Sequence, residues 1–377
     1  LNIAFFTDSY RPNVDGVVRC IELLKGELER EGNKVYVFAP SPSRESKVDK
    51  EVHYFESHPF APYPQYRISM VREATVGIDA MARRCRELGI EAVHSHGIAF
   101  TSIAAYRVAK RLNIPKVVTF HTNVAGATHY ISKFKMMERH FESIAWHYLR
   151  WLYSNYDVVL APSETASRML SDHGIRSTVF PNGIEVGKYL KAVRRPGKGT
   201  PLLLHVGRVV KEKKIDTAMR MMAEMKERGK KTELVVAGGG PGIAYYKEEA
   251  KRLGISRNVK FLGFVQHNRL NALYRKANAL VFCSPFDTQG LVVIEALASG
   301  LPVIAAKGTS GAEIVGNFNE RLVFSNEREF ENAVKSAVKL KDCKRCREAA
   351  AGYDVRIQAK KLVALYRKLG KKPENRR

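Results

Sequence analysis

At 377 residues the chain is longer than one hydrophobic core usually supports, so two domains are expected. Hydrophobic residues make up 45%, an ordinary fraction for a soluble globular protein, and no apolar run is long enough to cross a bilayer as a helix. Lysine and arginine number 63 against 38 acidic residues, a formal charge of +25 that suits a membrane surface, a nucleic acid or a phosphorylated substrate, and equally a solvated basic surface.

The chain opens in an apolar strand, Asn2 to Thr7, with no signal-peptide pattern before it, and a cytoplasmic location is expected. A loop, Asp8 to Asp15, leads to Gly16 and a helix to about Arg30, then to the strand Lys34 to Ala39. This is the β-loop-α-β opening of a doubly wound sheet. The loop lacks G-x-G-x-x-G, so a dinucleotide site is not indicated. Phe55 to Met70 interleaves Pro59, Pro62 and Pro64 with Phe60, Tyr63, Tyr66 and Arg67; aromatics beside arginines can sit at a lipid interface or stack on bases, and an ordinary loop is the expectation. A basic helix carrying Arg72, Arg83, Arg84 and Arg86 follows.

The strand Ala92 to His96 ends in His94-Ser95-His96-Gly97, and the strand Val117 to Phe120 ends in His121-Thr122. Ligands of open α/β sheets gather at the carboxyl ends of strands, which makes these histidines site candidates. His94 is expected to be a satisfied core residue. Tyr130 to Tyr156 holds both tryptophans, Trp146 and Trp151, among Lys133, Lys135, Arg139, His147 and Arg150. That pattern fits a helix lying on an anionic membrane, and it fits buried aromatics under a solvated basic face.

The polar stretch Lys188 to Thr200, broken by Pro196, Gly197 and Gly199, is expected to link the domains. A second α/β repeat starts with the strand Leu202 to Val206. Arg208 and Lys213 then lie in a strand-to-helix loop, where cations can neutralise charge on a leaving diphosphate; Lys214 is adjacent. Leu234 to Ala237 runs into Gly238 to Gly242, a turn that could pass close to a ligand. Five cysteines, an odd number, argue against a disulfide framework, and Cys343-x-x-Cys346 lacks the further ligands zinc needs.

The most informative run is Val281 to Ala305, VFCSPFDTQGLVVIEALASGLPVIA. A strand turns through Ser284 and Pro285 into a helix near Gly290, whose amides at Gly290, Leu291 and Val292 could hold an anionic or hydroxyl-rich ligand. Asp287 and Glu295 flank that turn and could bond sugar hydroxyls at two points, or serve as a helix cap and a buried acid.

This run resembles the donor-site signature of family 4 of the retaining glycosyltransferases, whose fold is GT-B: two Rossmann-like, doubly wound α/β domains facing across a cleft. Asp287 stands where the family pattern has its first glutamate. Phe-Thr-Asp-Ser-Tyr-x-Pro-x-x-Asp-Gly-Val resembles the family's first loop, Val-Thr-Phe-His-Thr the segment whose histidine contacts the donor sugar, and Gly-Arg-Val-x-x-Glu-Lys its phosphate-binding loop. Gln289-Gly290-Leu291-Val292, Asp8-Ser9-Tyr10 and His121-Thr122 followed by His129-Tyr130-Ile131 look most like the glycolipid-forming branch, which includes diacylglycerol glucosyltransferases and phosphatidylinositol mannosyltransferases.

The resemblance implies an acceptor-binding domain over 1–185, a nucleotide-sugar-binding domain over 200–353, and a last helix, 354–370, that packs back on the first domain. It implies hexose transfer with retention from a nucleoside diphosphate sugar, of the UDP-glucose or GDP-mannose type, to a membrane glycerolipid hydroxyl. A soluble acceptor, or a non-catalytic anion-binding protein of this fold, is the alternative. His121, Arg208, Lys213 and Asp287 would serve the reaction, with Gly16, Gly290, Leu291, Val292 and Glu295 also at the donor and Asp15 and His96 at the acceptor. Glu295 would take the ribose. The sugar nucleotide is a co-substrate; no other cofactor, no metal and no nucleic acid are expected. The expected partners are the donor and an anionic membrane surface holding the lipid acceptor, which implies peripheral attachment on the cytoplasmic face.

Overall fold

The computed structural model describes residues 1–13, 15–41, 51–60, 63–69, 77–121, 135–190, 196–197, 199–340 and 343–371. The chain divides into two compact units, Leu1–Gly183 with Val355–Arg377, and Ile184–Asp354.

Unit 1 holds the strands β1 (Asn2–Phe6), β2 (Lys34–Pro40), β3 (Val52–Phe55), β6 (Ala92–Ser95), β7 (Lys116–Thr119), β8 (Val158–Ala161) and β9 (Thr178–Val179) in one sheet, ordered β3-β2-β1-β6-β7-β8-β9. Every neighbouring pair is parallel, with Ile3 level with Val35 on one side and Ala92 on the other. Strands covered on both faces need continuous apolar runs, and Ile3 to Phe6 are wholly buried. Sheet order reverses direction at β1, so the topological switch point lies between the carboxyl ends of β1 and β6.

The helix Gly16–Arg30 starts where Asp15 caps it, its Oδ1 accepting from the amides of Val17 and Val18 at 2.9 Å each. Its apolar face, Val18, Ile21, Leu24 and Leu28, shares a core with Ala359, Leu362 and Tyr366 of the helix Val355–Gly370. The C-terminal helix thus belongs to unit 1, although 171 intervening residues, 184–354, form unit 2.

Unit 2 holds β10 (Leu202–Val206), β11 (Glu233–Ala237), β12 (Val259–Gly263), β13 (Ala279–Phe282), β14 (Val303–Ala306) and β15 (Val323–Phe324), all parallel and ordered β12-β11-β10-β13-β14-β15. Its switch point falls between β10 and β13.

Three expectations are corrected. The stretch read as a loop begins on the last residue of β3 and holds an antiparallel hairpin, β4 (Ser57–Phe60) with β5 (Tyr63–Ser69), tied by Arg67, whose Nε and Nη2 donate to Ser57 Oγ and Ser57 O at 2.9 and 2.6 Å. Pro62 and Arg72 lie outside the described residues. Chain passage between units comes at Gly183–Ile184, before the polar stretch expected to link them: Ile184, Val186 and Tyr189 are buried in the core of unit 2 and commit that segment to it. Cys343 and Cys346 are joined as a disulfide, their Cα atoms 5.1 Å apart, where the odd cysteine count argued against bridging. Cys343 occupies the N-cap of the helix Lys344–Ala351, which brings i and i+3 together. Among the described residues no helix is long and apolar enough to cross a membrane.

Candidate functional site

In unit 2 the loops after β10 and β13 converge. Lys213 ends a short 3-10 turn, Lys211–Lys213, and its ammonium donates to Asp287 Oδ1 at 2.6 Å and Oδ2 at 2.8 Å. The two side chains are 21% and 24% exposed, so the pair is sheltered yet reachable from solvent. The main-chain carbonyl of Asp287 accepts from Ser310 Oγ at 2.8 Å, which fixes the loop against the helix Ser310–Gly316 after β14. Arg208 lies exposed on the same β10 loop, one residue past Gly207.

Below the pair is His205 in β10, 6% exposed. Burial pushes its imidazole down to about 4, the Lys213 ammonium adds to this, and Asp287 and the Val281 backbone oppose it.

The helix Leu291–Ala298 begins at Gly290, which has φ +74; a β-carbon there would meet the Phe282 ring at 2.7 Å. Glycine is required on both counts. No side chain caps this helix, so Asp287 is engaged by Lys213 and does not act as a cap. Leu291 and Val292 are half-buried at its first turn.

Glu295 lies deeper, fully buried, with Tyr274 Oη donating to its Oε2 at 2.9 Å. The carboxylate expected to meet a ribose is covered in this structure. Glycines 238 to 242 also have a reason other than ligand approach: β-carbons at Gly238 and Gly240 would collide with the carbonyls of Gly207 and Val209, so two loops pack backbone against backbone.

Two aromatic side chains lie nearby: Phe264 ends the Val259 to Phe264 strand-and-turn unit that the sequence shows, whereas Tyr245 was missed. Phe264, just past β12, is 76% exposed, and Tyr245 has the Lys211 ammonium 4.8 Å from its ring centroid.

In unit 1, Asp15 uses Oδ1 on its helix and accepts from Ser9 Oγ at Oδ2, 3.0 Å. Gly16 is exposed, and nothing lies within 4 Å of where its β-carbon would be, so the fold does not explain a glycine there. Asp8, named from sequence only within the Asp8-Ser9-Tyr10 motif, accepts from the amides of Ile98 and Ala99 at 2.6 and 2.9 Å and from Thr101 Oγ1, and so anchors the start of the helix Phe100–Leu112.

The three histidines form a column. His94 is saturated by Tyr366 Oη at 2.6 Å and Thr119 Oγ1 at 2.7 Å. His96 stacks on it with ring centroids 4.2 Å apart, and His96 Nδ1 lies 3.0 Å from His121 Nε2. Burial pushes His94 down to about 3 and His121 to about 4; His96 is lowered too, by burial first and its neighbours second, so all three are neutral at pH 7. His96, read as an acceptor contact, is 4% exposed. Thr122, His129, Tyr130, Ile131 and Lys133 lie outside the described residues.

The helix Lys135–Tyr153 divides its aromatics. Trp146, Leu149, Leu152 and Tyr153 are buried in a core, whereas Ile144 and Trp151 are 53% and 48% exposed beside exposed His147 and Arg150.

Residues 14–188 match the family model described as Glycosyltransferase Family 4, and residues 190–352 match that described as Glycosyl transferases group 1. The alpha-monoglucosyldiacylglycerol synthase of Streptococcus pneumoniae is 30% identical over 322 residues, 81% of this chain and 71% of its own length. A GDP-mannose-dependent alpha-mannosyltransferase of Mycolicibacterium smegmatis is 26% identical over 352 residues, 90% of this chain and 88% of its own. Among solved structures, Anabaena HepE in complex with UDP aligns with a TM-score of 0.72 at 15% identity, over 98% of this chain and 100% of that one, a likeness of fold.

Proposed function

Because the chain belongs to the family 4, group 1 glycosyltransferases of GT-B fold and so transfers sugar from a nucleotide sugar, we propose that it moves a hexose with retention of configuration to a hydroxyl of a membrane glycerolipid. The donor in this reading is of the UDP-glucose or GDP-mannose type. The acceptor follows the name of the 30% identical relative, a monoglucosyldiacylglycerol synthase. It is supported by the exposed Trp151 and Ile144 on a helix of a chain with charge +25. Attachment to the membrane is peripheral.

The observation that carries the reading is the convergence of Lys213 and Asp287 at the switch point of unit 2. In the reaction the bond between the anomeric carbon and the phosphate oxygen breaks, the acceptor oxygen bonds the same face of that carbon, and the acceptor proton passes to the departing phosphate oxygen. Negative charge grows on the diphosphate, and Arg208 and Lys213 stabilise it. In this reading the two cations neutralise the leaving diphosphate without a metal ion. Asp287 and the amides at Gly290, Leu291 and Val292 hold the sugar; His121 and Gly16 serve the same reaction in this reading. Asp15 orders the acceptor loop, and Phe264 offers a face to the nucleotide base.

Glu295 is retained as a donor residue acting through Tyr274 and the first turns of its helix, since its carboxylate is covered. The test is incubation with UDP-glucose or GDP-mannose and diacylglycerol vesicles, followed by NMR of the product. An α-linked glycolipid supports the reading; sugar transferred only to soluble acceptors, or a β linkage, overturns the corresponding part.

A further inference from the structure

We propose that His96 is a positioning residue: its Nδ1–H donates to His121 Nε2 and thereby fixes His121 as the tautomer that carries its proton on Nδ1. The inference deepens the functional reading above and rests on it only for the consequence to turnover.

A neutral imidazole has one N–H and one bare nitrogen, and the 3.0 Å contact between His96 Nδ1 and His121 Nε2 has room for one proton. Were His121 the donor, the proton of His96 would have to sit on Nε2. That nitrogen is buried and has no hydrogen-bond partner among the described residues, and an orphaned N–H is the less tolerated outcome. With His96 as donor, the buried position is left to a bare nitrogen.

The ring of His96 cannot swing away from this arrangement. Its own amide donates to Phe6 O at 2.7 Å, the Phe5 ring meets it edge-on at 4.7 Å, and His94 stacks on its other side. His94 is itself pinned at both nitrogens, so the column is braced from the sheet outward. Burial keeps the imidazoles neutral, as the sharing of a single proton requires. At 4% exposure, His96 reaches a substrate only through His121.

The test is nitrogen-15 NMR of the imidazoles in the full chain at neutral pH, with kinetics of two variants. His121 protonated at Nδ1 and bare at Nε2 is expected; protonation at Nε2 overturns the proposal whatever the activity. His96→Phe is expected to release the tautomer and to lower kcat about ten- to a hundred-fold with little change in acceptor KM. His96→Asn, whose amide can donate from nearly the same place, is expected to recover most of that loss and to stay folded. A raised acceptor KM at unchanged kcat in either variant would return His96 to the acceptor site and overturn the proposal. If His121→Ala leaves turnover unchanged while the NMR result holds, the functional reading of His121 fails and the tautomer assignment stands.

Discussion

Replacing Asp287 by Asn keeps shape and removes charge from a carboxylate that holds Lys213 Nζ at 2.6 and 2.8 Å. Two unit charges about 4 Å apart attract by roughly 4 kcal/mol where the effective dielectric constant is near 20. Each partner surrenders hydration to be only about one-quarter exposed, and part of the field is screened, so the net worth of the pair is about 1–2 kcal/mol. A double-mutant cycle of Asp287→Asn and Lys213→Met, read from chemical unfolding of the transition that includes unit 2, should give a coupling energy of that size. The same cycle on kcat/KM should be strongly non-additive, because either change dismantles one constellation. Additive losses in turnover, or a coupling below about 0.3 kcal/mol in unfolding, would refute the argument that these two loops act together.

Arg208→Ala should lower turnover by about two orders of magnitude or more, as for any lost charge partner of a leaving group, with normal thermal stability since the side chain is exposed; steady-state kinetics beside a melting curve checks both. Gly290→Ala should destabilise unit 2 by about 2–4 kcal/mol, from a left-handed backbone and a clash with Phe282, measured by denaturant unfolding. For His94, His121 and His205 the folded-state pKa lies below the unfolded value near 6.5, at about 3, 4 and 4. The unfolded chain therefore binds more protons below pH 6.5, and stability present above that pH falls by up to about 2 kcal/mol per histidine on going to pH 5. Unfolding midpoints that do not move over that interval would contradict this. Trp151→Ala should weaken sedimentation with anionic vesicles at low salt, while the unmodified chain should detach as salt rises.

Much of the fold was legible because parallel strands covered on both faces must be continuously apolar. β1, β10 and β13 announce themselves in this way, and each is followed by a loop carrying Gly, Asp or a basic residue. Loop residues could be located at strand ends from sequence, but not their partners. Lys213 and Asp287 stand 74 positions apart, and nothing in either local pattern says that one will neutralise the other. The same holds for His96 and His121, where one strand end sets the proton of the next.

The hairpin β4–β5 was read as a loop because its prolines suppress strand propensity, while Arg67 bonding to Ser57 is a cross-strand feature invisible along the chain. Glycines 238 and 240 suggested room for a ligand, and instead make room for the backbones of Gly207 and Val209. Composition placed the link between domains at a basic, glycine-containing stretch; burial of Ile184, Val186 and Tyr189 moves the passage upstream.

The proposed reaction requires a diphosphate held by positive side chains after β10. Calorimetric titration of UDP-glucose and GDP-mannose into the full chain and into its Arg208→Ala/Lys213→Ala double variant measures this directly. At least one donor should bind the unaltered chain, and its affinity should fall by about a hundred-fold or more in the variant. Equal affinity in the two proteins would contradict the account.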